Sequence, residues 1–522
     1  MLSAHHRRLL LLLGALSIAA PATHPQTPQP APPVITANAR LVVLDVVVTD
    51  AHGNPVDDLT EKDFQVFEDG QPQRIRSVEP PSAHTLPRTS EDATTIFDPA
   101  KPASFGQSPV NILVLDQLNT HFADSSFARR AVHDYLAAQP ALLRQPTTLL
   151  SAYDDHFKLL QPFTRDRGAL LRALEAAPTK YAWKLEINGK ADYGPIERLD
   201  QSLRALEEMA QSYARIPGRK NLIWVGGGFP SMDPAALDAN AMQLVQDTIH
   251  HVTNVLLDDR VTLYAVDPTT TLPGMTEITD STQMGFMMAG GDSVAGGMDP
   301  FGASDDFDRL GPVTGGRVIR GMNDVAHQIA ASVDLGANFY TIAYTPTSVS
   351  DVKAKYRQIK VVCLRPELAA TARNGYYAGP VKPSELLANA TYDLTTAAET
   401  SVPLNGLHVT VAPDTSSTAP AGAYIVRVST PNLTWKPKPD GGATASVYVM
   451  AVSLNAKNKM LAHALRGMTA NAIPGANLAD ESHTADFFLT APPAPKAAIL
   501  RFIVRDSATG RMGSVDLPLA NH

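Results

Sequence analysis

Short, almost wholly apolar stretches alternate with longer amphipathic stretches over residues 109–336. The stretches NILVLD (111–116), NLIWVGGG (221–228) and VTLYAVDP (261–268) are typical of strands that are buried on both faces. The stretch 196–215 instead repeats its apolar residues at helical spacing. Because alternating strands and helices build a parallel-dominated sheet with helices on both faces, the sequence predicts an α/β domain here.

The same patterns predict the other elements of this domain. Helices are expected at 124–138, 166–176, 235–257 and 323–335, and strands at 147–154 and 157–163. The first helix should bury one side, because its apolar residues recur at helical spacing. That side comprises Phe127, Ala131, Val132, Tyr135 and Leu136. Residues 270–306 have no periodicity and are predicted to form a loop insertion.

Alternating polar and apolar residues on either side of this domain predict β-sheet modules. Strands at 40–49, 63–68 and 73–78 precede it, and strands at 338–346 and 356–365 follow it. We expect these two groups to pair in one sandwich, with the α/β domain inserted between them. The C-terminal part has no long amphipathic helix, which predicts a further β-sandwich. The predicted fold class is therefore α/β, with a Rossmann-type sheet, combined with β-sandwich modules.

The N-terminus has the pattern of a secretory signal peptide. Arg7 and Arg8 precede an apolar core and a small-residue cleavage site near Ala22. A secreted or periplasmic protein is therefore expected, and an uncleaved membrane anchor is the less favoured alternative because the apolar core is short. The predicted organisation is a signal peptide (1–22), a Pro-rich linker (23–36), a β unit (37–80), a linker (81–108), the α/β domain (109–336), strands (337–380), a linker (381–395) and a sandwich (396–522).

Composition excludes several classes of function. The net charge of −8 is spread without a basic stripe, so the sequence predicts no nucleic-acid partner. No further apolar run is long enough to predict a membrane span in the mature chain. Cys363 is the single cysteine, so an intramolecular disulfide is excluded, and its place in a strand pattern predicts a small buried side chain.

Several motifs together carry a resemblance to a known family. They are VVVTDAHGNPVDDLTEKDFQVFEDGQPQRI near the N-terminus, RKNLIWVGGGFP in the α/β domain, and then TGGR, FYTIAYTP and NGYYAG. With these motifs the chain resembles the VWA domain-containing proteins described as acidobacterial VWFA-related, over about residues 36–380. The resemblance implies an exported protein with a VWA-like fold, but it implies no established biochemical role.

The VWA resemblance also implies where a metal site would lie. Metal-binding A-domains place Asp-x-Ser-x-Ser after the first strand, a Thr on a second loop and an Asp after the fourth strand, because Mg²⁺ prefers oxygen ligands in octahedral geometry. Asp116 and Thr120 match the first motif, but Leu118 replaces its first Ser. Asn119 could add an amide oxygen, and Thr179 or Asp192 could supply the second loop.

The fourth strand ends in Gly226, Gly227 and Gly228, where the resemblance would require a carboxylate. The sequence therefore predicts a degenerate site without a tightly held cofactor, with weak Mg²⁺ binding left open. These glycines also follow a buried strand as phosphate loops do, but the spacing of a nucleotide-binding loop is absent. A tight backbone turn is the simpler interpretation.

No catalytic arrangement is recognisable in the sequence. The run Asp154-Asp155-His156 is more simply a solvated turn than a metal site, and His121 has no identifiable nucleophile beside it. We therefore expect an exported, non-enzymatic binding or adhesion-type protein. It would recognise a protein or cell-surface partner through loops at the carboxyl edge of the sheet, including Gln117, His121 and Gly226–Gly228. A structural or assembly component of the cell envelope and an unrecognised hydrolase remain open.

Overall fold

The computed structural model describes most of the chain beyond residue 40. The described residues are 41–87, 95–120, 122–153, 157–178, 195–229, 239–268, 309–320, 324–347, 355–378, 390, 393–398, 400, 402–480 and 482–519. The predicted signal peptide, the insertion at 270–306 and the turn at 154–156 lie outside the described residues, as do His121, Thr179 and Asp192.

The described strands are β1 (Val42–Thr49), β2 (Phe64–Glu68), β3 (Gln71–Gln73), β4 (Ile75–Glu79), β5 (Ile96–Phe97), β6 (Val110–Asp116), β7 (Leu142–Ala152), β8 (Phe157–Asp166), β9 (Lys220–Val225), β10 (Val261–Val266), β11 (Arg317–Ile319), β12 (Tyr340–Tyr344), β13 (Lys355–Cys363), β14 (Ala369–Thr371), β15 (Gly375–Ala378), β16 (Val409–Pro413), β17 (Ala423–Ser429), β18 (Lys436–Pro437), β19 (Ala443–Leu454), β20 (Met460–Ala472), β21 (Thr484–Thr490), β22 (Ile499–Asp506) and β23 (Met512–Pro518). The described helices are α1 (Phe122–Ala138), α2 (Arg167–Ala176), α3 (Pro195–Tyr213), α4 (Ala239–Asp258), α5 (Leu310–Val313) and α6 (Val325–Ala337).

A seven-stranded sheet forms the centre of the α/β domain. Its order is β11-β10-β9-β6-β7-β8-β5. The five strands from β11 to β7 are parallel, whereas β8 is antiparallel to β7 and β5 is antiparallel to β8. Alternate residues of the buried strands face two separate cores. One core is shared with α3 and α4, and the other with α1, α2 and α6. The sheet is thus covered on both faces, as the alternation in the sequence requires.

One detail of α1 differs from the sequence expectation. Phe127 is 58% exposed, so its predicted burial is wrong. The buried stripe of this helix begins at Ala128 and continues through Val132 and Leu136. Phe127 lies one residue before that stripe, a rotation of about 100° around the helix, and therefore faces away from the core.

The strands before and after the α/β domain share one β-sandwich. Its two sheets have the orders β14-β1-β12-β4 and β15-β13-β2-β3. Leu44 pairs with Ile342 in the first sheet, and Val66 pairs with Val361 in the second. Side chains from both chain segments fill the core between them, and Cys363 packs half-buried at its margin. The α/β domain is therefore inserted between the two halves of this N-terminal sandwich.

A second sandwich follows in the C-terminal part. A three-stranded sheet (β16-β17-β21) faces a larger sheet in which β19 pairs with β20, β22 and β18, and β22 pairs with β23. Residues 393–398 are helical and bury Leu394, Ala397 and Ala398 against the far face of the larger sheet. This helix begins within the predicted linker 381–395, where Leu394 is packed rather than solvated. Residues 381–389 lie outside the described residues.

Strand β20 is absent from the sequence expectation, although it is the longest strand described. Its sequence, MLAHALRGMTANA, is rich in Ala, Leu and Met, which favour helices. Thr469 is its one β-branched residue, and it has no Phe, Tyr or Trp, so the residues that usually indicate a strand are scarce. Pairing with β19 along nearly its whole length overrides this local preference.

Largely buried ion pairs join the three modules. Arg260, which follows α4, donates to both carboxylate oxygens of Asp45 on β1, with a distance of 3.3 Å from Nε to Oδ2. Arg204 of α3 and Arg505 of β22 each donate at 2.9 Å to a different oxygen of Asp393. Burial raises the pKa of Asp45, but Arg260 outweighs it and holds the net pKa below the ordinary value. None of the described helices is both long and apolar enough to cross a bilayer.

We predict that Asp45→Ala destabilises the protein by about 3–5 kcal/mol, because it leaves the Arg260 guanidinium buried without its carboxylate. The matched control is Asp58→Ala, which removes an exposed partner of Arg365 (Nη1–Oδ2 3.0 Å) and should cost less than about 1 kcal/mol. Urea unfolding followed by tryptophan fluorescence measures both. Equal losses in the two variants would contradict a special role for the buried pair.

Candidate functional site

The central sheet has one point at which the strand order reverses. From β6 the chain first adds β7 and β8 on one side, and then adds β9, β10 and β11 on the other. The loops that follow β6 and β9 therefore leave the carboxyl edge of adjacent strands in opposite directions. Open α/β sheets bind ligands in the crevice at such a switch point.

The loop after β6 is organised by the carboxylate of Asp116. Asp116 is buried, and its Oδ1 accepts hydrogen bonds from the backbone N–H groups of Leu118 (2.8 Å) and Asn119 (2.9 Å). Leu118 is buried as well. Leu118 occupies the position where a metal site would have a hydroxyl ligand. Its buried side chain anchors the loop and offers no oxygen to a metal ion.

The loop after β9 packs directly on the first loop because it consists of glycines. A Cβ on Gly226 would lie 2.3 Å from Thr120 Oγ1 and 2.4 Å from Asp116 Cβ, and one on Gly227 would lie 2.6 Å from the carbonyl oxygen of Asn119. The N–H of Gly227 donates to Thr120 Oγ1 at 2.8 Å. Gly228 has a φ of +77°, which favours glycine. The close approach of the two backbones thus explains the triple glycine.

Amide side chains attach the first loop to neighbouring elements. Asn119 Nδ2 donates to Ser202 Oγ on α3 at 2.8 Å, and Ser202 in turn donates to the carbonyl of Arg198 at 2.7 Å. Gln117 Nε2 donates to Ser151 Oγ on β7 at 3.0 Å. The loop is therefore held in one arrangement by hydrogen bonds to both sides of the switch point.

Two buried oxygens in this loop have no hydrogen-bond partner among the described residues: Asp116 Oδ2 and Asn119 Oδ1. Burial raises the pKa of Asp116 to about 6, against the lowering effects of the Asn119 N–H, Trp224, the Leu118 N–H and Thr120. Trp224 Nε1 and Thr120 Oγ1 lie close enough to lower this pKa, yet neither makes a hydrogen bond of normal geometry to Oδ2. The carboxyl is thus poised to titrate just below neutral pH.

The described donors do not fit a tightly held Mg²⁺ ion. They comprise one carboxylate, one amide oxygen and the Thr120 hydroxyl, which already accepts the Gly227 N–H. Within the described ranges, no three His, Cys, Asp or Glu side chains are placed to hold a metal. The cavity beside Asp116, lined also by Leu115 and Ala128, measures about 10 Å³, enough for about one water molecule. An octahedral Mg²⁺ shell needs more oxygens than this set supplies.

The structure brings six of the sequence-predicted site residues together at the switch point: Asp116, Gln117, Asn119, Thr120, Gly226 and Gly227. A Cβ on Gly228 would instead approach Arg320 at 3.4 Å. Sequence reasoning missed the supporting Ser202, although a serine within the apolar helical stripe of Leu199, Leu203 and Leu206 was a usable signal. It also missed Arg320, which directly follows β11.

A larger open cavity of about 620 Å³ lies on the N-terminal sandwich. It is lined by residues of β2, β3 and β4, including Gln65, Arg74 and Arg76. None of its lining residues belongs to the loops at the switch point. The two features are therefore separate.

Comparisons with known proteins give little beyond fold. No protein-family model matches the chain, and no curated protein sequence matches it. Among solved structures, a mutant of the PilB minor pilin from Streptococcus sanguinis is 7% identical, with 43% of this chain and 60% of that chain covered and a TM-score of 0.23. The SpRpn10 VWA domain is 14% identical, with 31% and 90% covered and a TM-score of 0.17.

The pilus adhesin SpaC from Lactobacillus rhamnosus GG is 10% identical, with 76% of this chain and 53% of that chain covered and a TM-score of 0.23. The chain thus spans less than two thirds of the PilB and SpaC chains. These values mark a weak likeness in fold to a VWA domain and to pilin and adhesin proteins. Likeness at this level carries no information on function.

We predict that Asp116→Asn stabilises the protein at pH 7.5 but not at pH 4. The folded-state pKa of about 6 exceeds the ordinary value of 3.8, so the folded protein binds this proton more tightly than the unfolded chain does. That contribution is full below pH 4 and is lost as the pH rises through 6, by up to about 3 kcal/mol. Chemical unfolding in chelator at both pH values tests this, and a stability difference independent of pH would contradict it.

We predict that Gly226→Ala lowers the free energy of unfolding by about 1–3 kcal/mol, because its Cβ would overlap Thr120 and Asp116. Gly467→Ala is the matched control. A Cβ there would make only ordinary contact, 3.6 Å from the Tyr448 ring, and should change stability by less than about 0.5 kcal/mol. Thermal unfolding compares the two variants. A Gly226 variant as stable as the control would show that the loops do not depend on their close approach.

Proposed function

We propose that the chain is an exported, non-enzymatic binding protein with a VWA-like α/β domain. It would recognise a protein or cell-surface partner through the loops at the carboxyl edge of the central sheet. The observation that carries this proposal is the contact between the Asp116 loop and the Gly226 loop at the switch point. The VWA-like assignment is supported by a sheet in which β6, the first strand of the predicted α/β domain, is central and β8 runs antiparallel near the sheet margin.

The internal bonding of the loops supports binding rather than catalysis. The side chains of Gln117, Asn119 and Thr120 each make a hydrogen bond that holds the loop itself. None of these bonds pairs a nucleophile with a general base. A loop that is already ordered loses less conformational entropy when a partner binds. Recognition through loop shape and hydrogen bonds is the function that this arrangement favours, without a step through a metal ion.

The charged rim of this edge supplies a test. Arg320 follows β11 and lies 4.0 Å from Asp267, measured from Nε to Oδ2, and its side chain is 36% exposed. A charge at the rim of an interface acts mainly on the rate of association and on the choice of partner. Export itself is supported by the N-terminal sequence pattern alone.

We predict that Arg320→Glu reduces crosslinked capture of the partner from an envelope extract by about tenfold. Arg365→Glu is the matched control, because Arg365 is 35% exposed and ion-paired but lies on the N-terminal sandwich. Circular dichroism verifies that both variants fold. Equal capture by both variants and the native chain would overturn recognition at this edge.

A second candidate function, a structural or assembly component of the envelope, is favoured by one specific observation. The C-terminal sandwich has a thirteen-residue strand at the margin of its larger sheet. Such an edge can pair with another chain.

A further inference from the structure

Strand β20 pairs with β19 on one side, and no described strand pairs with its other side. An edge strand exposes unpaired backbone N–H and C=O groups, which natural proteins usually shorten, interrupt with proline or cover. Several of the other described edges follow that rule, although β21, at the edge of the three-stranded sheet, has seven residues. Strands β3, β5, β11 and β14 have two or three residues each. Strand β23 is covered by the chain at 404–407, with the Leu407 N–H bonded to Met512 O at 3.0 Å and the Ser514 N–H to Leu404 O at 2.8 Å.

The hydrogen bonds of the larger sheet show which groups of β20 point outward. On β19, the carbonyls of Ser446 and Leu454 accept from Ser507 and Ala498, so even-numbered residues of β19 face β22. Odd-numbered residues of β19 therefore bond to β20, and the register sets them opposite even-numbered residues of β20, as in Val447↔Met468.

The contacts of β20 agree with this assignment. The carbonyl of Ala470 accepts from Thr444 Oγ1 of β19 at 3.2 Å, and the carbonyl of Leu465 is bonded by the guanidinium of Arg466 at 2.9 Å. The outward backbone groups are those of His463, Leu465, Gly467, Thr469 and Asn471. The one irregularity in the pairing lies between Ser453 and Leu454, beyond this stretch.

We propose that this edge pairs with β20 of a second copy of the chain, antiparallel and about a two-fold axis through Gly467. The two sheets would then form one continuous sheet across the dimer. This inference does not rest on partner binding at the carboxyl edge of the α/β domain.

The side chains of β20 are complementary to themselves in this register. His463 lies opposite Asn471 of the second copy, and Leu465 lies opposite Thr469. Centring the axis on Arg466 instead would place two guanidinium groups directly opposite each other, which is unfavourable. With the axis at Gly467, Arg466 instead lies opposite Met468. This register avoids the like charges and still pairs nearly the whole strand.

The ends of the strand match as well. Leu461 is 43% exposed and Ile473 is 77% exposed, and both belong to the largest exposed apolar side chains described. In the proposed register they lie opposite each other at both ends of the ladder. The five outward residues of each strand would exchange about ten backbone hydrogen bonds, the number found in an ordinary protein interface.

A peptide from another protein is the less favoured occupant. Peptides that add a strand to a sheet gain specificity from pockets beside the edge. Neither cavity described above includes a residue of β20. The side chains of Ala464, Met468 and Ala470 pack against the core of their own sandwich but are only partly buried there. A second sandwich beside them would bury them further.

We predict that the mature chain dimerises in sedimentation equilibrium and that Thr469→Pro raises the dimer dissociation constant at least tenfold. Proline at this position removes an outward N–H and leaves the backbone bonds to β19 in place, although it also removes the weak 3.5 Å contact of the Thr469 hydroxyl with Ser446 Oγ. Phe488→Lys is the control, because Phe488 is exposed on the other sheet and its loss should leave the constant unchanged. Thermal unfolding verifies that both variants retain the fold.

A crosslink reports the register directly. In a Cys363→Ser background, Gly467→Cys should form a disulfide-linked dimer under mild oxidation, because opposed Cα atoms in a hydrogen-bonded antiparallel pair lie about 5.5 Å apart. Thr410→Cys, exposed on β16, should stay unlinked. A chain that remains monomeric at about 100 µM would overturn the proposal. A dimer that persists in the Thr469→Pro variant, together with no disulfide in the Gly467→Cys variant, would also overturn it, because the interface would then lie elsewhere.

Discussion

The strands β6, β9 and β10 are buried at every position, so both faces of the central sheet must be covered by other elements. The chain meets this requirement with helices on both faces, and parallel strands joined by such helices send all their carboxyl ends to one edge. That geometry brings Asp116 and Gly226 together, although they are far apart in sequence. The candidate site is therefore a consequence of how the core is covered.

Buried charged groups at the two edges of the central sheet have different kinds of partners. At the carboxyl edge Asp116 has backbone donors on one oxygen only, and burial raises its pKa. At the opposite edge Lys220 is buried and donates to the carbonyls of Ile216 (2.6 Å) and Gly218 (3.1 Å). Burial lowers the pKa of Lys220 to about 7, with Asp259 acting against that effect. Asp259 is in turn bonded by Arg511 of the C-terminal sandwich at 3.1 Å.

Buried charge at the amino edge thus serves to join modules, because it is paired across their boundaries. Asp45 and Arg260 link the N-terminal sandwich to the α/β domain in the same way. The carboxyl edge has no such partner module on its loops among the described residues, which is where a binding surface is expected. The edge strand β20 offers a different kind of surface, since its outward groups belong to the backbone and another strand is their regular partner.

The sequence by itself determined the kinds and order of the elements of the α/β domain, because the spacing of apolar residues reflects which face of each element is buried. It also located Asp116 and the triple glycine, since both follow recognisable strands. Only the tertiary structure decided that Gly226 lies against Thr120, that Phe127 faces away from the core, and that Met460–Ala472 is a strand. Each of these depends on contacts between residues distant in sequence, and such contacts leave no local pattern from which they can be predicted.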